Sequence, residues 1–152
     1  MPSQERSSLE EQVAIRFHIV NHHESFGLDA EHFGAVAAAA VSLSPLSGLP
    51  HEEIEVSFMS DEEISKVHAE FLGDSSPTDV ITFDHGEILI SVDTAARRCE
   101  DHGMSLGKEC ALYLVHGLLH LGGWEDKSPD GFARMKREQE RILSLVWKEA
   151  AP

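Results

Sequence analysis

The stretch from Ala111 to Leu121, A-L-Y-L-V-H-G-L-L-H-L, is apolar nearly all the way round a helix. A helix without a polar face has to be enclosed by other elements, so this one is expected at the centre of the fold. It is expected to begin at Ser105 and to stop at Gly122-Gly123. Two histidines interrupt the apolar run, His116 and His120, four residues apart and therefore on one helical face. Imidazoles in apolar surroundings are costly unless they have a partner. Two neutral rings on one face, with a third ligand beyond the glycine turn, can hold three corners of a tetrahedral metal site. The fourth corner stays free for water.

The third ligand has two candidates. Asp126 stands six residues after His120, with Gly123 between them. That is the spacing of the metzincin pattern H-E-x-x-H-x-x-G-x-x-H, with Asp where the third His would be. Glu125 is the alternative, since a carboxylate oxygen from either residue suits zinc. His85, His102 and Cys110 have weaker claims, and Cys110 reads as a core thiol on a different helical face. Gly117 occupies the place where H-E-x-x-H peptidases carry a glutamate general base. Glycine can neither accept a proton nor orient water, so peptide hydrolysis by that mechanism is disfavoured.

The remaining elements follow from periodicity. Val13, Ile15, Phe17 and Ile19 alternate with polar or small neighbours, as do Ile54, Val56 and Phe58, which predicts two half-buried strands. Thr78 to Phe83 and Glu87 to Val92 read as two more, separated only by Asp84-His85-Gly86 and so paired as a hairpin or close antiparallel pair. Asp29 is expected to cap a helix with Phe33, Val36, Ala37, Ala40 and Val41 on its inner stripe. Ser60 and Glu63 form a capping box before Ile64, Val67, His68 and Phe71. Gly73 to Pro77 reads as a loop, and Asp93 is expected to cap a short helix through Glu100. Ser128 caps a last helix with Pro129 at its first position and Phe132, Met135, Ile142 and Val146 facing inward. The order β-α-β-α-β-β-α-α-α predicts an α/β or α+β fold. A small mixed four-stranded sheet is packed with about five helices, one of them a zincin-like metal helix.

A length of 152 residues predicts one domain spanning residues 1–152, with the polar residues 1–12 as a flexible N-terminal segment. Two cysteines are too few for a disulfide framework, and no apolar run approaches the roughly 20 residues of a membrane span. A soluble, cytoplasmic protein without a membrane partner is the expectation. A net charge of −15 repels a polyanion, so a nucleic-acid partner would need a local basic patch. Arg97-Arg98 and the cluster Lys127, Arg134, Lys136, Arg137 and Arg141 could supply one, while acids crowd between Glu52 and Glu63.

The stretch H-G-L-L-H-L-G-G-W-E-D from His116 to Asp126, with P-T-D-V-I-T-F from Pro77 and G-E-I-L-I-S from Gly86, resembles the YbeY family of rRNA maturation factors. The resemblance spans roughly Ile54 to Leu143, with the motifs in family order and spacing. It implies a metal-dependent, single-strand-specific endoribonuclease in 16S rRNA 3′-end maturation and ribosome quality control. Its partners would be rRNA, the small ribosomal subunit and assembly factors, with no DNA. It also implies one zinc ion, or another divalent transition metal, on a mixed sheet with helices. The family motif usually ends Y-D-H, and matching by position makes Asp126 the third ligand beside His116 and His120. A site of two His and one Asp is harder and more anionic than one of three His. An Arg that the family commonly carries five residues before the Pro of its P-T-D motif is here Leu72. Positive charge for a phosphate must then come from Arg97 or Arg98, or from Arg134 or Arg137. Thr78 and Asp79 are expected to shape the strand entry beside the site. The competing readings are a degenerate metzincin-like metallopeptidase and a non-catalytic ribosome-assembly factor with a structural metal.

Overall fold

The computed structural model describes residues 14–73 and 78–148. The flexible segment expected at residues 1–12, Val13 of the first expected strand, and most of the loop expected at 73–77 lie outside the described residues.

Four strands form one sheet: β1 (Arg16–Asn21), β2 (Glu53–Met59), β3 (Val80–Phe83) and β4 (Glu87–Ser91). Their order is β1-β2-β4-β3, with β1, β2 and β4 parallel and β3 antiparallel to β4. The expected mixed sheet and hairpin are therefore present. Five α-helices accompany it among the described residues: α1 (Ala30–Val41), α2 (Asp61–Leu72), α3 (Val92–Arg98), α4 (Leu106–Leu121) and α5 (Pro129–Val146).

Alternation within the strands decides the layers. Ile54, Val56 and Phe58 of β2 and Ile88 and Ile90 of β4 face one side, where they meet Phe33, Val36, Ala37 and Ala40 of α1 and the apolar surface of α4. Met59, Ile81 and Leu89 point to the other face and form a smaller cluster with Ile64 of α2. Helix α4 is the enclosed one, with Ala111, Leu114, Val115, Leu118 and Leu119 all wholly buried. It approaches the sheet closely because residue 117 has no side chain. A Cβ there would stand 2.8 Å from Ile88 Cγ2 and 3.2 Å from Thr82 Cγ2.

Most expected caps are present. Asp29, Ser60, Ser105 and Ser128 each accept a backbone N–H from three residues on. Asp93 does not cap α3. Strand β4 runs straight into that helix, so Ser91, still extended, accepts from Thr94 N at 3.1 Å. Asp93 instead accepts from Asp61 N at 2.8 Å and pairs with His23 at 2.8 Å. The third strand starts at Val80 rather than Thr78, because the Asp79 side chain takes the Val80 N–H at 2.9 Å. Phe71 was expected on the inner face of α2 but is 60% exposed. The four-residue β3 offers that last turn only the edge of Phe83, at 5.4 Å between ring centroids.

Asp61 joins α2 to the end of β4 and to α3. It accepts from Ser91 Oγ at 2.6 Å, Thr94 Oγ1 at 2.8 Å and Arg97 at 2.5 Å. Burial alone would raise its pKa, but these donors outweigh burial and hold it below its ordinary 3.8. A depressed carboxylate stabilises the fold above the unfolded-state pKa, and that contribution is lost as pH falls through the folded value. Asp61→Asn should cost about 1–3 kcal/mol at pH 7. Urea midpoints of wild type and variant should converge as pH falls below 3.8. A gap that stayed constant with pH would rule out the ionic origin.

Candidate metal centre

Beyond Lys108 in its first turn, helix α4 is apolar except along one line. Glu109, Tyr113, His116 and His120 follow a 4-3-4 spacing, which keeps their side chains on a single face over about 16 Å. At the C-terminal end of this line the chain reverses. Gly122 and Gly123 close the helix through hydrogen bonds to the carbonyls of Leu118 and His120, both at 3.0 Å. Gly123 adopts φ 89°, which a side chain would resist. The reversal brings Trp124 and Asp126 back over the histidines.

The three ligand atoms converge. His116 Nε2 and His120 Nε2 are 3.0 Å apart, and Asp126 Oδ2 lies 3.6 Å from the first and 3.9 Å from the second. Ligands 2.0–2.1 Å from a tetrahedral ion are separated by about 3.4 Å, so these edges bracket the value a metal requires. The other ring nitrogens are committed. His120 Nδ1 donates to the Trp124 carbonyl at 3.0 Å, and His116 Nδ1 lies 2.7 Å from Gln139 Oε1 on α5. With protons held on Nδ1, both Nε2 lone pairs face the carboxylate, an arrangement that a cation between them would stabilise. Burial, and then the neighbouring His116, lower the pKa of His120 and favour its neutral, ligating form. The donor set fits a divalent ion. His116, His120 and Asp126 form a group able to hold one, their ligand atoms all within 4.8 Å.

Asp126 rather than Glu125 completes the group, and Glu125 is exposed. His85 stacks on Phe83 at 5.8 Å and pairs with Glu87 at 3.3 Å on the β3–β4 hairpin. Cys110 is wholly buried, and burial followed by the charge of Glu109 pushes its thiol up to about 12, an inert core thiol as expected. His102 lies in the turn before α4, its Nδ1 between both carboxylate oxygens of Glu109 at 2.8 and 2.9 Å.

A cavity of about 580 Å³ opens beside the triad, lined by His116, Asp126, Arg98, His102, Phe132 and Lys136 among others. The two adjacent arginines part company here. Arg98 lines the cavity, 3.2 Å from Asp79, whereas Arg97 is turned to Asp61 and Thr94. Arg134 lies over the Trp124 ring at 4.9 Å, and Arg137 is exposed on α5. Phe132, expected in the core, is 58% exposed at the cavity rim. It occupies the first turn of α5, beyond the reach of α4, while Met135, Ile142 and Leu143 make the buried contact.

Gln139 and Glu109 were not singled out from the sequence, and Lys136 stood there only as one member of the basic cluster after the histidines. Gln139 did carry a signal, being the polar residue at position i+4 from Met135 and i−3 from Ile142 on the inner stripe of α5. Glu109 carried another, seven residues before His116 on the same face.

Comparison with known proteins gives a consistent picture. Residues 18–146 match the protein-family model described as Endoribonuclease YbeY. Endoribonuclease YbeY from Heliobacterium modesticaldum is 33% identical over 119 residues, covering 63% of this chain and 72% of the relative. That from an Anaeromyxobacter species is 34% identical over 130 residues, covering 75% and 67%. Among solved structures, the solution structure of TM1509 from Thermotoga maritima shares the fold, with a TM-score of 0.59 at 22% identity. The match covers 85% of this chain and 90% of that one. No helix among the described residues is long and apolar enough to cross a membrane.

Proposed function

This chain belongs to the Endoribonuclease YbeY family, and from that premise we propose that it is a metal-dependent, single-strand-specific endoribonuclease. Its substrate would be rRNA of the small ribosomal subunit. The role would be maturation of the 16S rRNA 3′ end and ribosome quality control, alongside assembly factors. The observation that carries this reading is the His116–His120–Asp126 triad opening onto a cavity that also presents Arg98 and Lys136.

His116, His120 and Asp126 would hold one zinc ion or another divalent transition metal. When bound, such an ion polarises a phosphate oxygen and makes its water more acidic. Gln139 and the Trp124 carbonyl keep the two rings aimed at one point. Arg98 and Lys136 draw the phosphate backbone into the cavity, which matters in a chain of net charge −15. Asp79, Asp126 and Glu140 line the same cavity, so it would take the bound cation together with Arg98 and Lys136 to make this a face that a polyanion can approach. Exposed Phe132 offers a stacking surface, and only an unpaired base can use it.

Two observations weigh against the alternatives. A structural metal is normally enclosed by four protein ligands, whereas this group has three among the described residues and borders a cavity. A zincin-type peptidase needs an acid at residue 117, and that position is packed against Ile88 and Thr82.

Asp126→Ala tests the reading. Loss of an outer-sphere partner already weakens metal binding 10–100-fold, so loss of this direct ligand should exceed about 100-fold. Elemental analysis should find little retained metal, and cleavage of single-stranded RNA should fall with it. Unchanged metal content and cleavage would remove Asp126 from the site.

A further inference from the structure

Glu109 is 0% exposed on a helix whose other buried residues are mostly apolar. A carboxylate taken out of water is costly unless it is paired. Here both oxygens meet one atom, His102 Nδ1, at 2.8 and 2.9 Å. The buried charge therefore holds the His102 ring. The backbone around that ring is held as well, by His102 N to Arg98 O at 3.1 Å and Met104 N to Cys99 O at 2.9 Å.

The ring is not enclosed. Its side chain is 46% exposed and lines the cavity that His116 and Asp126 also line. With Nδ1 given to the carboxylate, Nε2 is the nitrogen left to exchange a proton. Glu109 and His116 stand seven residues apart on α4, two turns or about 10 Å along its axis. The attacking and leaving oxygens of a phosphoryl transfer are roughly in line. A phosphodiester lying along the cavity, with its phosphorus on the His102 side of the triad, points its leaving oxygen towards His102. The other ionisable groups facing this space are Tyr113, Asp79, Arg98, Lys136 and Glu140. Asp79 and Arg98 are paired, and burial followed by Glu109 raises the pKa of Tyr113, which keeps its hydroxyl protonated.

We propose that His102 is a catalytic residue of the nuclease reaction, the general acid for the leaving oxygen, and that Glu109 is its positioning residue. This rests on the function proposed above. Imidazolium Nε2–H gives its proton to the bridging oxygen as the phosphorus–oxygen bond breaks, and that oxygen leaves with the bonding pair as a hydroxyl. Water supplies the new oxygen on phosphorus. The proton it releases goes to solvent, from which His102 is reprotonated. One phosphodiester and one water become a phosphomonoester and an alcohol.

The test compares wild type and His102→Gln on a single-stranded RNA oligonucleotide and on bis(p-nitrophenyl) phosphate, whose leaving group needs no proton. RNA cleavage should fall about 100-fold or more in the variant, with metal content and nitrophenolate release unchanged. Equal loss on both substrates, or no loss on RNA, would overturn the proposal. A second readout needs neither the variant nor metal. In metal-free wild type, the His102 Cε1–H resonance should shift when a short single-stranded RNA is added, and a resonance that did not move would also overturn it. In metal-free Glu109→Gln the His102 Cε1–H resonance should move even without RNA, because the ring loses the carboxylate that fixes its orientation. An unmoved resonance would remove Glu109 from its positioning role. Wild type that cleaves no RNA with any divalent ion would fell the nuclease reading itself. Full-rate cleavage by His102→Gln would fell only the assignment of His102.

Discussion

His116→Ala is expected to lose bound metal and RNA cleavage together while keeping its fold. The ring supplies one of three ligand atoms, and its loss leaves His120 and Asp126, two ligands that no longer surround a point. A bound ion contributes several kcal/mol of transition-state stabilisation. At 1.36 kcal/mol per factor of ten, that corresponds to about a 1,000-fold fall in rate or more. The fold should survive because the His116 side chain is 22% exposed and its protein hydrogen bond is to Gln139, on the rim of the same cavity. Circular dichroism of metal-free wild type and variant should therefore agree. Added metal should raise the melting temperature of wild type alone, since it binds only the intact site. Full cleavage by the variant in metal-free buffer would sink the metal-dependent mechanism.

Gly117→Glu is expected to abolish folding rather than create a peptidase, although it restores the spelling H-E-x-x-H. Three effects compete at this position. Helix propensity favours any residue over glycine, by up to about 1 kcal/mol for alanine. Against that, even a Cβ would meet Ile88 Cγ2 at 2.8 Å and Ile88 Cδ1 and Thr82 Cγ2 at 3.2 Å, and such overpacking costs about 1–3 kcal/mol. Alanine should thus be destabilising by no more than about 2 kcal/mol net. Glutamate adds a carboxylate driven between helix and sheet without a partner, several kcal/mol more. The sum approaches the whole stability of an ordinary domain, about 5–15 kcal/mol. Chemical denaturation of Gly117→Ala and the soluble yield of Gly117→Glu are the measurements. A soluble, fully stable Gly117→Glu would show that α4 does not rest on β4 as described.

The residues at and around position 117 show how far the sequence could be read. The absence of a general base was visible in the spelling, and it correctly turned the site away from zincin chemistry. The reason glycine stands there was not visible, because Ile88 and Thr82 are distant in sequence and meet α4 only across the sheet. Arg97 and Arg98 teach the same lesson. Neighbours on a helix point about 100° apart. One therefore reaches Asp61 on α2 and the other lines the cavity, a division set by which elements flank α3. Phe71 and Phe132 lie on apolar stripes by spacing and are exposed in the fold, because the elements that would cover them end too early.

What this chain determined by itself was local. Strand alternation, the serine caps, the enclosed helix and the His-x-x-x-His face depend on periods of two and 3.6 residues and on nearby hydrogen bonds. These survive in a linear reading, and so did the six-residue step to Asp126, because a two-glycine turn has few ways to go. Tertiary structure decided whatever joins elements far apart in sequence. Gln139 reaches His116 from α5, and Asp61 reaches across to α3. Above all, α4 lies close against the sheet at Gly117, while Tyr113 and His116 on its polar line border a cavity. Packing sets these relations, and it selects partners by shape and depth, which no single segment carries.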